Sequence, residues 1–215
     1  MGLFNLFSKK TPSRSDRPYQ NESLNKIYDL LFCDNLSLFT PQESYPWDVL
    51  FGRPINIDRL QAVANDRTLE ARARAIAYHL LRSEKVPVPA KELFGVIIEV
   101  SLPGGLDVLA AFSDGTARYI NHVEKLLVWE TRTDDSQLLI ANLFNSSVNL
   151  VNRIGPWDSE RKPFPTGGMV RLSFLVSDGL YFGEGPFEIM QKDPIGGPVI
   201  TAATRLMAFL TTQKK

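Results

Sequence analysis

Cysteine is nearly absent from this chain. Cys33 stands alone among 215 residues, so an intramolecular disulfide is excluded. Histidine is almost as scarce, with only His79 and His122. Both fall in patterned segments, and a zinc site built from His and Cys is not expected. Neither a metal nor a cofactor is expected. No apolar run approaches the ~18 residues that a membrane helix needs. An excess of one charge is missing too: 24 Lys plus Arg balance 24 Asp plus Glu. A balanced chain has no general attraction to nucleic acid or to an anionic membrane, and neither is expected as a partner.

The motifs that carry chemistry are also missing. There is no phosphate-binding Gly-x-x-x-x-Gly-Lys-Ser/Thr loop, no His-Glu-x-x-His, no Gly-x-Ser-x-Gly and no paired Cys-x-x-Cys. Gly183-Glu184-Gly185 begins like a dinucleotide fingerprint, but Glu188 stands where its third glycine belongs. No catalytic set of residues is therefore assigned. Cys33 is followed by Asp34, a charge of the wrong sign for an activated thiol, and reads as a small buried hydrophobe. His122 reads as an exposed turn residue, and His79 as a residue on the surface or core edge of a helix. Arg67, Arg72, Arg74 and Arg82 cluster around that helix. Glu70 and Glu84 are interleaved with them, so a solvated, ion-paired face is expected.

What is present is rhythm. Residues 1–20 read as a tail: an apolar cluster of Leu3, Phe4, Leu6 and Phe7, then a basic, proline-broken stretch. The apolar part is too short for a secretory signal, and its lysines follow it instead of preceding it. A cytoplasmic location is the expectation, with membrane contact confined to a weak contribution from this tail. Residues 21–86 carry helical spacing, with Asn21 or Ser23, Asp48, Asn56 or Asp58, and Thr68 as candidate caps. The longest stripe is Leu69, Ala73, Ile76, Ala77 and Leu80.

After Pro89 the period changes to two. Strands are predicted at 94–101, 106–112, 116–121, 126–130, 170–176 and 180–182, with turns at Asp114-Gly115 and Asp178-Gly179. Helices are predicted from Asp134 or Asp135 to Gly155, over 187–191, and over 198–212. This order gives an α+β fold: an antiparallel meander sheet of about six strands covered by helices, with an N-terminal helical segment. Ile97, Leu109, Leu127, Trp129 and Leu175 add apolar residues to second strand faces, which favours a sheet covered twice. The N-terminal helices either cover that second face or form a lobe. Residues 21–215 are expected to form a single domain, with a helical part (21–86) and a sheet-plus-helix part (90–213).

The segment most open to function is the Pro/Gly-rich loop from Gly155 to Gly168. Loops of this length within a domain are often functional, and Trp with Arg is the residue mix of binding hot spots. Trp157, Asp158 and Arg161 are the candidate contacts. Tyr181 is expected nearby if the last two strands pair. In the competing reading Trp157 and Phe164 plug the end of the core and Asp158 caps a following turn. The leading functional expectation is a non-enzymatic protein-interaction or adaptor module. Its alternative is a small-molecule-binding or enzymatic domain with a cleft beside the Asp-Gly hairpins. Oligomeric state is not legible.

Overall fold

The change of period near Pro89 is where the sheet begins in the computed structural model, which describes residues 17–213. Upstream lie α1 (Glu22–Leu30), a single 3-10 turn, α2 (Trp47–Phe51), α3 (Ile57–Asn65) and α4 (Ala71–Ser83). Downstream come β1 (Leu93–Leu102), β2 (Gly105–Phe112), β3 (Ala117–Ile120) and β4 (Leu126–Trp129). They are followed by α5 (Asp134–Val151), β5 (Met169–Val176), β6 (Gly179–Pro186), α6 (Phe187–Lys192) and α7 (Gly196–Thr212). The strands form one antiparallel sheet in the order β4-β3-β2-β1-β5-β6. The fold is α+β. No helix of the described residues is long and apolar enough to cross a membrane.

Alternation sorts the side chains onto two faces, and both are covered. Ile97, Val108, Ala110, Phe112 and Leu175 face α1 to α4. Val96, Ile98, Leu109, Leu172 and Phe174 face α5 and α7. The N-terminal helices thus cover the second face and form no separate lobe. The core on their side also reaches further upstream than the change of composition at residue 20. Tyr19 is buried, and its hydroxyl donates to Leu106 O at 3.2 Å. The Glu124 carboxylate accepts from the backbone of Gln20 and Asn21, which pins the start of α1 to the β3–β4 turn. The predicted tail residues before Arg17 lie outside the described residues.

The caps follow the sequence in part. Asn21 and Asn56 cap α1 and α3. Asp48 lies inside α2, where it pairs with Arg59. Thr68 bonds Asp66 instead of opening α4, whose first-turn Ala71 N–H is taken by Asp114 from across the fold. Thr133 caps α5 through a reciprocal bond with Ser136, leaving Asp134 and Asp135 in the first turn, where the helix dipole favours them. The arginine-rich face of α4 departs from expectation: Arg74 is buried, bonded to Ala64 O and Glu92, because its stem fills the joint between α3, α4 and β1.

One row of side chains on the N-terminal-helix face is polar. Glu99 on β1 is paired in register with Arg171 on β5, and Arg171 with Glu184 on β6. Glu99 and Arg171 are buried. Arg171 donates to Glu184 at 2.6 Å, to Lys162 O at 3.2 Å and to Pro163 O at 2.6 Å. Glu99 accepts from the Tyr28 hydroxyl of α1 at 2.6 Å. Its second oxygen has no hydrogen-bond partner and stands 3.8 Å from Arg171. Burial pushes the Glu99 carboxyl above its ordinary value, against the lowering influence of Tyr28 and Arg171.

The two members of this pair are not equivalent. Replacing Arg171 by Met strands two carboxylates and two carbonyls and is expected to cost about 3–5 kcal/mol. Glu99→Gln keeps an acceptor for Tyr28 and leaves Arg171 its other partners, so about 1 kcal/mol is expected. A carboxyl raised in the folded state contributes stability that is complete below its ordinary 4.5 and is lost as pH rises through the folded value. Glu99→Gln should remove that loss, so the variant gains on the native protein from pH 5 to pH 7.5. Urea unfolding at the two pH values checks both statements, and equal losses for Arg171→Met and Glu99→Gln would refute the asymmetry.

Candidate functional site

The carbonyls that satisfy Arg171 belong to the loop between α5 and β5, so the polar row of the sheet also fixes where that loop runs. Its first half lies along β6. The Trp157 N–H donates to Leu180 O at 2.7 Å, extending the edge of the sheet by one bridge. The close approach requires Gly179: a Cβ there would stand 2.8 Å from Pro156 Cβ. The Trp157 indole donates to Glu160 O at 3.0 Å and meets Phe182 edge-on at 5.0 Å, with the Lys162 ammonium 5.3 Å from each ring. Trp157 nevertheless stays 37% exposed. Phe164 packs against the core on the α1–α4 side.

Arg161 turns inward. Its Nε donates to Asp34 and a terminal nitrogen to Asp29, both at 2.9 Å. The guanidinium lies 4.0 Å over the Phe32 ring and 5.6 Å from that of Tyr28. Burial works against its charge, but Asp34 and the two hydrogen bonds outweigh burial, so Arg161 is held firmly protonated. Arg17 adds a second bond to Asp29 at 3.0 Å. The loop is thereby clasped to α1 across a gap.

That gap is a half-open cleft of about 1090 Å³. One wall is the loop from Trp157 to Phe164. The other is the end of α1 with Phe32, Asp34 and Leu38. Its floor is the α4 stripe Ala75, His79 and Arg82, together with the Asp178-Gly179 hairpin and Leu180. Ala75, His79 and Arg82 are spaced so that they line one face of α4, and the small Ala75 leaves the room.

Trp157, Asp158 and Arg161 all line this cleft, but in different roles. Arg161 is consumed by the clasp. Asp158 is exposed and takes only the Ser159 hydroxyl, at 3.3 Å; no helical turn follows it to cap. Trp157 forms the rim. Tyr181 is elsewhere: it is fully buried on the opposite face of β6, and its hydroxyl donates to Asp178 at 2.9 Å. Neighbouring strand residues point to opposite faces, so Phe182 takes the place beside Trp157 where Tyr181 was expected.

Two cleft residues were not singled out as contacts by the sequence. Arg82 donates one bond, to Ser177 O at 2.6 Å. Neither His79 ring nitrogen has a hydrogen-bond partner among the described residues. Burial, and then the neighbouring Arg82, lower the His79 pKa; burial likewise lowers that of Arg82. The signal available in the sequence was the seven-residue spacing of Ala75, His79 and Arg82.

The other reactive side chains are accounted for by the fold. Burial pushes the Cys33 thiol up to about 12, so it carries no thiolate near neutral pH. His122 Nδ1 and Asp107 are paired at 2.8 Å, yet no hydroxyl or thiol bonds the other His122 nitrogen among the described residues, so the pair has no nucleophile to activate. Asp114 is spent on Ala71 and Thr116. Asp178 is spent on the Lys91 N–H and on Tyr181. Among the described residues no group of three His, Cys, Asp or Glu is placed to hold a metal ion. Comparison with known proteins adds no assignment: no family model matches the chain, and no curated protein matches it in sequence.

The clasp sets an order of sensitivity. Arg161→Ala leaves Asp29 and Asp34 without their shared partner and is expected to cost about 3 kcal/mol. Arg161→Lys should recover little of it, because an ammonium lacks the planar fork that spans two carboxylates and lies over Phe32. Trp157→Ala removes a rim residue and is expected to cost less than either arginine variant. Thermal melts rank the three, and amide hydrogen exchange of residues 156–165 should rise in the arginine variants. A Trp157→Ala loss larger than that of Arg161→Ala would make the indole a core plug.

Proposed function

We propose that this protein is a non-catalytic binding module and that the cleft between the 155–168 loop and the α1–α4 helices takes a small-molecule ligand. One observation carries the reading: a cleft of ligand-accommodating size beside the Asp178-Gly179 hairpin, with polar groups converging on its floor. About 1090 Å³ lies just above the range of small-molecule sites, ~300–1,000 Å³. Both walls are tied in place by Arg161 and Arg171, so the cavity exists before anything enters it. A site organised in advance costs less to fill, because the ordering has already been done by folding.

A protein partner is the second reading, and it rests on Trp157. The indole stands partly exposed at the rim, where a segment of another chain would meet it. A partner using this surface would lose affinity on Trp157→Ala while the melting temperature changed little. A small ligand held on the floor would depend more on His79 and Arg82 than on the indole.

A fragment screen followed by amide and side-chain NMR decides whether the cleft binds. Fragments that raise the melting temperature are expected to shift the resonances of His79, Gly179 and the Trp157 indole, and to lose that effect in Arg161→Ala. Stabilising fragments that perturb only other surfaces, or a screen without any hit, would refute the reading.

A further inference from the structure

The floor and walls of the cleft differ in how far their polar groups are already used. Its inner carboxylates are consumed. Asp29 holds Arg17 and Arg161, Asp34 holds Arg161, and Asp178 holds the Lys91 N–H and the Tyr181 hydroxyl. Its inner donors are not. Among the described residues Arg82 gives a single bond, to Ser177 O, although its guanidinium carries five N–H groups. His79, one turn away on the same helix face, gives none to the described residues. Lys162 stands over Trp157 and Phe182 without a carboxylate partner among the described residues. Asp158 and Glu160 oppose them in sign, but both are exposed on the loop, where water screens them. The half-buried donors on the floor therefore set the preference.

We propose that the cleft is selective for an amphiphilic organic anion, a carboxylate or phosphate monoester on an apolar body, with the anionic group on Arg82 and His79 and the body against Trp157, Leu180 and Leu38. The assignment rests on the binding role proposed above and names its ligand class. Arg82 has free N–H groups for the anion and keeps its bond to Ser177 O. His79 donates one ring N–H as the neutral imidazole and two when protonated. Lys162 adds charge from the rim.

Arg82 on its own helix and Asp34 after α1 act on His79 directly. The other charged groups lining the cleft are Arg17 and Asp29 on the α1 side, Asp178 in the β5–β6 turn, and Asp158, Glu160, Arg161 and Lys162 on the loop. Burial and then Arg82 lower the His79 pKa, and Asp34 opposes them only in part, so the free protein favours the neutral imidazole. A bound anion reverses this. It favours the imidazolium, the His79 pKa rises on binding, and the complex takes up protons. Affinity therefore falls as pH rises through the raised His79 value.

The test uses the full chain with three probes of similar shape: phenyl phosphate, 3-phenylpropionate and neutral benzyl alcohol. Calorimetry and the His79 ring resonances are followed from pH 5.5 to 8. The expected result is that at least one anion binds, that benzyl alcohol binds at least about tenfold more weakly, and that the His79 pKa moves up when the anion is present. Phosphate and carboxylate are told apart by which of the two anions does this. Arg82→Gln keeps a donor for Ser177 O and should weaken the anion about tenfold. His79→Gln, checked by its melting temperature, gives a second variant should the first unfold; it should abolish the pH dependence of 3-phenylpropionate binding, whereas phenyl phosphate itself titrates at pH ~6. Equal binding of benzyl alcohol and both anions would overturn the anion preference while leaving the cleft as a binding site. No binding of any probe at millimolar concentration, with fragments of other chemistry still mapping to the cleft, would overturn it as well.

Discussion

Arg171 is the constraint on which the arrangement depends. A sheet covered by helices on both faces leaves no water for a charged side chain at its centre, and an unpaired guanidinium there is prohibitively costly. The protein satisfies Arg171 with Glu184 from the next strand and two carbonyls from a loop that has crossed over the sheet. Glu99, the residue opposite on the other side, takes one hydrogen bond from Tyr28 of α1. One buried charge thereby draws in two segments remote in sequence, the loop and the first helix. Those two segments are the walls of the cleft. A wholly apolar row at this position would pack as well, but would remove one of the contacts that place each wall.

The fold was legible because it is written in periodicity. The change from helical spacing to alternation at Pro89, and the Asp-Gly turns at 114 and 178, are local features that need no knowledge of distant contacts. Covering of both faces was legible for the same reason, since Ile97, Leu109 and Leu175 placed apolar groups on faces that a one-sided sheet would leave polar. The polar row was not. Glu99 and Arg171 stand 72 positions apart, and only the register of β1 against β5 makes them neighbours. Alternation names the face of each residue but not its partner across the strand gap. The cap of α4 failed for a related reason: Thr68 is a good local cap, but Asp114 reaches the first turn of α4 from another part of the chain and takes its place.

The site was legible by half. The loop was found through its length and its Trp–Arg content, and Trp157, Asp158 and Arg161 all face the cleft. Tyr181 was placed beside them on proximity along the chain. In a strand, proximity of one residue means the opposite face, and Phe182 occupies the position instead. His79 was read as a surface or core-edge residue of its helix, and Arg82 as part of that helix's ion-paired face. What distinguishes them is what stands opposite, and that is set by the loop, about eighty residues downstream in the sequence.

Arg161 and Arg82 show how structure and binding divide between side chains of one kind. Both guanidiniums are half-buried in the same cleft. Arg161 has two carboxylates and two aromatic rings, so its charge is matched within the fold, and nothing entering the cleft competes well for it. Among the described residues Arg82 has one carbonyl, and burial lowers its pKa against the raising influence of Asp178, which is held by the Lys91 N–H and the Tyr181 hydroxyl and forms no ion pair with it. Folding tolerates that shortfall only because the position is still wetted from the cleft. A ligand that expels the water must therefore bring its own negative charge, or leave the guanidinium both dry and unpaired. The same desolvation that makes Arg171 organise the sheet makes Arg82 selective, and the difference is only whether the partner is supplied by the chain or from outside it.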